Sequence, residues 1–176
     1  MGILRVFLIF VLMTTSRFIL IIALLLLSTV NLQSQTHENT IGVRLGYAKG
    51  PLLEASLQHE YRFLRRIEAD LGVYFDKTYT KSGVCVLHQW RFLLGDKLSW
   101  YLGPGLSAGY WDYSIGYHDF GDGGFYVSAG INAGMEYSFL YASLRLTIDA
   151  RPEFGLYNQP GEDFIAQFAL GVRYVF

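Results

Sequence analysis

Four histidines and a single cysteine are the residues best suited to acid–base or nucleophilic work, but their spacing assembles no site. A catalytic histidine needs a nucleophile and an orienting group close by. His37 lies in an N-terminal tail and His118 in a long polar stretch. His59 and His88 fall in alternating apolar segments, two positions before Tyr61 and Trp90. Cys85 has no second cysteine with which to form a disulfide or a zinc site. Around His118 stand Asp112, Asp119 and Asp122, among Tyr113, Tyr117 and Phe120. Acids can hold a hard cation such as calcium. These follow no calcium-loop spacing, so a solvated loop is the default, with its aromatics as an adhesive surface. The sequence therefore nominates no catalytic, cofactor-binding or metal residue, and no cofactor.

The composition narrows the class. Of 176 residues, 52% are hydrophobic and 16% aromatic, and Gly is frequent at 19. Charged residues are only 16%, against roughly 25% in an ordinary soluble domain. Such a chain is deeply buried or sits partly in lipid. A net charge of −1 and the lack of a basic run exclude a nucleic-acid partner.

Residues 1–34 read as a signal peptide. Arg17 precedes an unbroken apolar run from Phe18 to Leu27, followed by Ser28, Thr29, Asn31, Gln33 and Ser34. The run is short for a transmembrane helix of about 20 residues. Met13 is the alternative start. A short tail, 35–39, leads into a domain spanning 40–176.

That domain alternates with period 2, the mark of a two-faced strand. Eight segments do so: 41–47, 53–61, 67–75, 83–92, 99–110, 125–137, 140–149 and 164–176. The expected fold is all-β: an eight-stranded antiparallel transmembrane up-and-down barrel. Its strands have the length that crosses a bilayer at a tilt, and an even number closes without an edge.

Volume decides which face is outside. The apolar set is too bulky for the interior of an eight-stranded barrel, which only just accommodates side chains. The other face carries the strand glycines, serines and charges of both signs. Arg44, Arg91, Arg145 and Arg173 stand against Glu54, Glu60, Glu68, Asp70, Glu136 and Asp149. That set suits an ion-paired lumen. No Lys, Arg, Asp or Glu falls on the apolar face of these segments. Tyr47, Tyr61, Phe75, Trp90, Phe92, Trp100, Tyr110, Phe125, Tyr137, Phe164, Tyr174 and Phe176 gather near strand ends, as interfacial girdles do. Leu87 and Ile165 fall on the polar face without explanation, and Pro104 predicts a bulge or kink. With a periplasmic start, the outer connections are 48–51, 76–82, 112–124 and 152–162, and the inner turns are 62–65, 94–97 and 138–139. Ser143 is expected to face the lumen, and Leu140 and Ala142 to face lipid.

The eight-segment pattern resembles the small outer-membrane β-barrel family of OmpX/OmpA-like barrels. The terminal alternation Phe168, Leu170, Val172, Tyr174, Phe176 is its most specific part, and the run Leu144–Phe154 is similar to a penultimate strand. The resemblance implies a Gram-negative outer membrane, a bilayer and lipopolysaccharide as surroundings, and a barrel-assembly machinery that reads the strand ending in Phe176. Function follows weakly from such a fold. The leading expectation is a non-enzymatic structural or surface-interaction (adhesion-like) role with a plugged lumen and no known surface ligand. The runner-up is a lipid-modifying enzyme, a lipid A deacylase or acyltransferase. Its deacylase form places a Ser two residues from a His, and Tyr61, Trp90 and Phe120 occupy that place here. A small-solute pore is third.

Intact mass of the protein isolated from outer membranes is expected to show a start near Gln35. A mass that retains Phe18–Leu27 would contradict the signal-peptide reading.

Overall fold

A computed structural model describes residues 38–113, 123–139 and 142–176. The segment 1–34, His37, residues 114–122 with His118, Asp119 and Asp122, and Leu140 and Tyr141 lie outside the described residues. The strands are β1 (Asn39–Tyr47), β2 (Pro51–Arg62), β3 (Arg65–Phe75), β4 (Tyr79–Leu93), β5 (Leu98–Tyr113), β6 (Gly124–Phe139), β7 (Leu144–Tyr157) and β8 (Phe164–Val175). They form a closed barrel in chain order, every pair antiparallel. β8 returns to β1 from Tyr47 opposite Phe168 to Thr40 opposite Val175. At the end of that seam Asn39 and Phe176 exchange backbone hydrogen bonds of 3.1 and 2.9 Å. Closure pairs the edge groups that hydrocarbon could not solvate.

The two faces separate as the alternation predicts. Leu45, Leu71, Leu106, Ile148 and Leu170 point outward and are exposed, while Arg44, Asp70, Ser107, Asp149 and Arg173 are buried inside. Aromatics ring both ends of the exterior. Tyr61, Phe63, Trp90, Phe92, Trp100 and Tyr137 mark the end that holds the termini, and Tyr47, Phe75, Tyr110, Phe125 and Phe164 the other. An apolar band between aromatic girdles is the surface of a membrane-spanning barrel.

Inside, large side chains sit beside glycines on the neighbouring strand. A Cβ on Gly42 would meet Arg173, its partner in register. One on Gly72 would meet Glu54. Gly105 explains Leu87: the two are register partners, and the Leu87 side chain occupies the space a Cβ would need, leaving it 1% exposed. Ile165 is likewise buried in the lumen, opposite Glu153.

Several boundaries differ from the sequence expectation. β4 begins at Tyr79 and β7 runs to Tyr157, so the connections 76–82 and 152–162 shorten to 76–78 and 158–163. The 138–139 turn moves to 140–143, because Phe139 still pairs with Leu144. Ser143 has a left-handed φ of 49° in that turn and is exposed at the rim of the cavity at that mouth rather than on a strand inside the lumen, and Ala142 is a turn residue as well. Pro104 produces no bulge. Register is unchanged from the Leu87–Gly105 pair to the Trp90–Leu102 pair; only the two pairings between are lost, as a missing N–H requires. Pro152 interrupts β6–β7 in the same way. The register shifts occur elsewhere, at Tyr61 between Glu60 and Arg62, and between Val127 and Ser128 where β6 meets β7. Finally, β3 starts at Arg65, which puts one cation on the outward face at the aromatic girdle.

Leu71→Arg, in mid-strand, is expected to destabilise insertion by about 2–4 kcal/mol, and Phe63→Arg, in the hairpin turn, by about 0–1 kcal/mol. Folding into vesicles, read by gel mobility before and after heating, measures both. Equal loss in the two would contradict this depth assignment.

Candidate functional site

Alternation delivers arginines and carboxylates to the same narrow lumen from strands far apart in the chain. Arg44 on β1 grips Asp149 on β7 with two nitrogens, at 3.1 Å from Nε and 2.5 Å from Nη2, and pairs with Glu54 through Nη1. Arg151 on β7 pairs with Asp70 on β3, the diametrically opposite strand, and donates to Glu54 at 3.1 Å. Arg173 on β8 reaches Glu68 on β3 at 2.5 Å and donates to Thr147 at 2.6 Å. Arg66 on β3 crosses to Glu136 on β6 at 2.5 Å and lies 4.6 Å from the centre of the Tyr101 ring.

Amides and hydroxyls bridge these pairs. Gln58 and Gln89 each donate to Glu68 at 2.8 Å. Gln89 also donates to Asn132 at 2.7 Å, and Asn132 to Asp149 at 3.2 Å. Charge-assisted bonds of this kind contribute about 1.5–3 kcal/mol each. They offset part of the desolvation of charges taken from water.

The two mouths differ. At the terminus end Arg145 pairs with Glu38 at 2.7 Å and Arg91 with Glu60 at 3.2 Å, around a cavity of about 300 Å³. At the other end Leu52, Tyr74, Tyr79, Trp111 and Tyr126 form an apolar cluster inside the lumen. Beneath it lies a cavity of about 40 Å³, lined by Lys81, Cys85, Glu153 and Gln167 among others. Lys81 rests 4.1 Å from the centre of the Tyr126 ring. Glu153 accepts from Ser128 at 3.0 Å and from Ser107 at 3.2 Å.

The sequence reading missed this second mouth. It placed Lys81 and Glu153 in loops and left Leu52, Trp111 and Tyr126 unassigned. Extending the alternation of β2 and β5 by one residue reaches Leu52 and Trp111, and the parity of the segment 125–137 already puts Tyr126 on the polar face.

The two described histidines do not meet. His59 and His88 lie on the exterior of β2 and β4, with Ile67 of β3 between them in register. His59 Nδ1 is 2.7 Å from Asn39 Oδ1, and His88 Nε2 is 2.5 Å from the Tyr61 hydroxyl. Cys85 is buried in the lumen as a free thiol. Asp112 accepts a hydrogen bond from the N–H of Tyr113 at 2.8 Å.

No family profile and no curated protein matches the sequence. Solved structures do share the fold. The chain is similar to the N-terminal β-barrel domain of Pseudomonas aeruginosa OprF, at 18% identity and a TM-score of 0.68, over 79% of this chain and 97% of that one. It is also similar to Neisserial surface protein A, at 15% identity and a TM-score of 0.59, over 80% and 96%. A major outer membrane protein from Thermus thermophilus aligns at 10% identity and a TM-score of 0.58, over 81% and 100%. At such identities the likeness is one of fold, and the expected small eight-stranded barrel is borne out at that level.

Arg151→Met is expected to destabilise the barrel by about 3–5 kcal/mol, because it strands Asp70 without its cation and leaves Glu54 with Arg44 alone. Adding Asp70→Leu should recover part of that loss. Urea unfolding in detergent measures both variants, and a neutral Arg151→Met would show that the pairs do not hold the lumen.

Proposed function

We propose that this chain is an integral protein of a bacterial outer membrane, without enzymatic activity, whose lumen is plugged and whose role is structural or surface contact. One observation carries the reading: ion pairs that span the barrel from β7 to β3, β8 to β3 and β3 to β6 fill the section a solute would use. An eight-stranded barrel has no width to spare beyond such side chains.

Connection lengths support an orientation with both termini in the periplasm. The connections at the terminus end are 63–64, 94–97 and 140–143, while the opposite end carries the short 48–50 and 76–78 and the longest two, 114–123 and 158–163. Short periplasmic turns and longer surface loops are the usual arrangement. The outer end is tied by Lys49 to Glu162 at 2.5 Å and by the Trp111 indole N–H to the Asn158 carbonyl at 3.0 Å. The surroundings are then the bilayer and lipopolysaccharide, with 1–34 as the signal peptide and the strand ending in Phe176 as the segment the assembly machinery reads.

A lipid-modifying enzyme is the weaker reading. Among the described residues His59 meets Asn39 and His88 meets Tyr61, and each faces outward on its own strand.

Purified protein should release no acyl chains from lipopolysaccharide or phospholipid, and should give no steady current steps in planar bilayers. Acyl release abolished by His88→Ala would establish the enzyme reading instead, and a conductance that changes with Arg151→Met would establish a pore.

A further inference from the structure

The β2–β3 hairpin end carries an arrangement that the lumen and the outer loops do not use. Arg62 and Arg65 are register partners across the hairpin, and both are exposed. Like charges directly opposite one another destabilise a strand pair. Among the described residues neither arginine has a carboxylate partner; Glu60, the nearest acid in sequence, points into the lumen and pairs with Arg91.

The hairpin is nevertheless held firmly. Glu60 accepts from the Leu64 N–H at 3.0 Å, and the Leu64 carbonyl accepts from the Arg91 N–H at 2.9 Å. Leu64 has a left-handed φ of 60°. These contacts fix the two guanidinium stems side by side at the lipid–water boundary.

What surrounds them specifies the ligand. Arg65 is the outward-facing register partner of Trp90. The Trp90 ring meets His88 edge-on at 4.7 Å, and His88 is held by the Tyr61 hydroxyl at 2.5 Å. Phe63, 77% exposed, and Ile67 extend an apolar surface from the turn into the membrane band. A ligand that satisfies both parts has an anionic phosphate for the arginines and acyl chains for the apolar surface. Arginine pairs bind phosphate through several parallel N–H bonds.

We infer that the end of the β2–β3 hairpin, with Arg62 and Arg65 opposite one another beside Trp90 and His88, is a binding site for the headgroup phosphate of an anionic phospholipid. The site rests on the membrane-spanning reading but not on which end faces the periplasm. It supplies the missing counter-charge between the two arginines. Attraction of an anionic surface amounts to about 1 kcal/mol for each cation near it, or roughly fivefold in affinity per arginine.

Tryptophan quenching by brominated lipids tests this. In a W100F background the outward-facing tryptophan is Trp90 alone, since Trp111 lies in the lumen. The full barrel is refolded into phosphatidylcholine vesicles that contain brominated phosphatidylglycerol or, separately, brominated phosphatidylcholine. Quenching by brominated phosphatidylcholine reports insertion whatever the headgroup preference, so its absence would refute the membrane-spanning reading and the site with it. The expected result is stronger quenching by the phosphatidylglycerol, with an apparent affinity preference of roughly fivefold or more. R62Q/R65Q should abolish that preference and still be quenched by brominated phosphatidylcholine. K77Q, which removes a charge at the opposite end, should leave the preference intact. Equal quenching by the two lipids, or a preference that survives R62Q/R65Q, would overturn the proposal. So would displacement by inorganic phosphate alone, which would mark a site for the free ion and not for a lipid.

Discussion

Closure of the sheet is the constraint from which the rest follows. Hydrocarbon offers no partner for a backbone N–H or C=O, so the eighth strand must meet the first. Eight strands then enclose a space barely wider than the side chains that line it. Everything inside must fit in the remaining section, which is why large residues face glycines across the ladder. The Leu87–Gly105 and Glu54–Gly72 pairs are solutions to one volume problem, reached with an apolar and a charged residue respectively.

The lumen inverts the usual arrangement of a soluble domain. Its buried centre is made of Arg44, Arg66, Arg151, Arg173 and their carboxylates, and its apolar residues are spent on the outside. Such a core is specific rather than generous. Ionised groups contribute only when each finds its partner, whereas apolar residues tolerate rearrangement. The apolar cluster of Leu52, Tyr74, Tyr79, Trp111 and Tyr126 departs from this pattern at one mouth only. It covers the charged layers beneath it and separates them from water on that side.

Much of this was legible in the chain because the signal is a parity. Once Leu45 and Arg44 are assigned to opposite faces, neighbouring positions in the same strand follow, and the volume argument chooses which face is inside. Parity fails where a strand ends, and that is where the reading erred. Lys81 and Glu153 lie in strand extensions whose flanks, Lys77–Thr78 and Gly155, look like loop. Ser143 kept its parity but lies in a turn, where parity has no meaning. Arg65 looked like turn material and is the first residue of a strand. The ion pairs themselves were foreseeable only as a balance of signs. Which arginine meets which carboxylate depends on how the strands are staggered around the barrel, and one segment read alone carries no such information. The chemistry-bearing residues gave an equally local result: four histidines at unhelpful spacing in sequence, two of which the fold places on separate strands facing outward.

The partners in the lumen are also far apart in time. Glu54, Glu68 and Asp70 emerge on β2 and β3, while Arg151 and Arg173 arrive only with β7 and β8. Arg44 can meet Glu54 as soon as β1 pairs with β2, but Asp70 and Glu68 wait for cations that come with the last two strands. Neither those two acids nor the late arginines can shed their charge into lipid. The closing strands are drawn across the lumen by the very groups they will cover, and an arrested intermediate has no comfortable place in the bilayer. The last hairpin thus closes the barrel and brings the counter-ions of Asp70 and Glu68 in the same step.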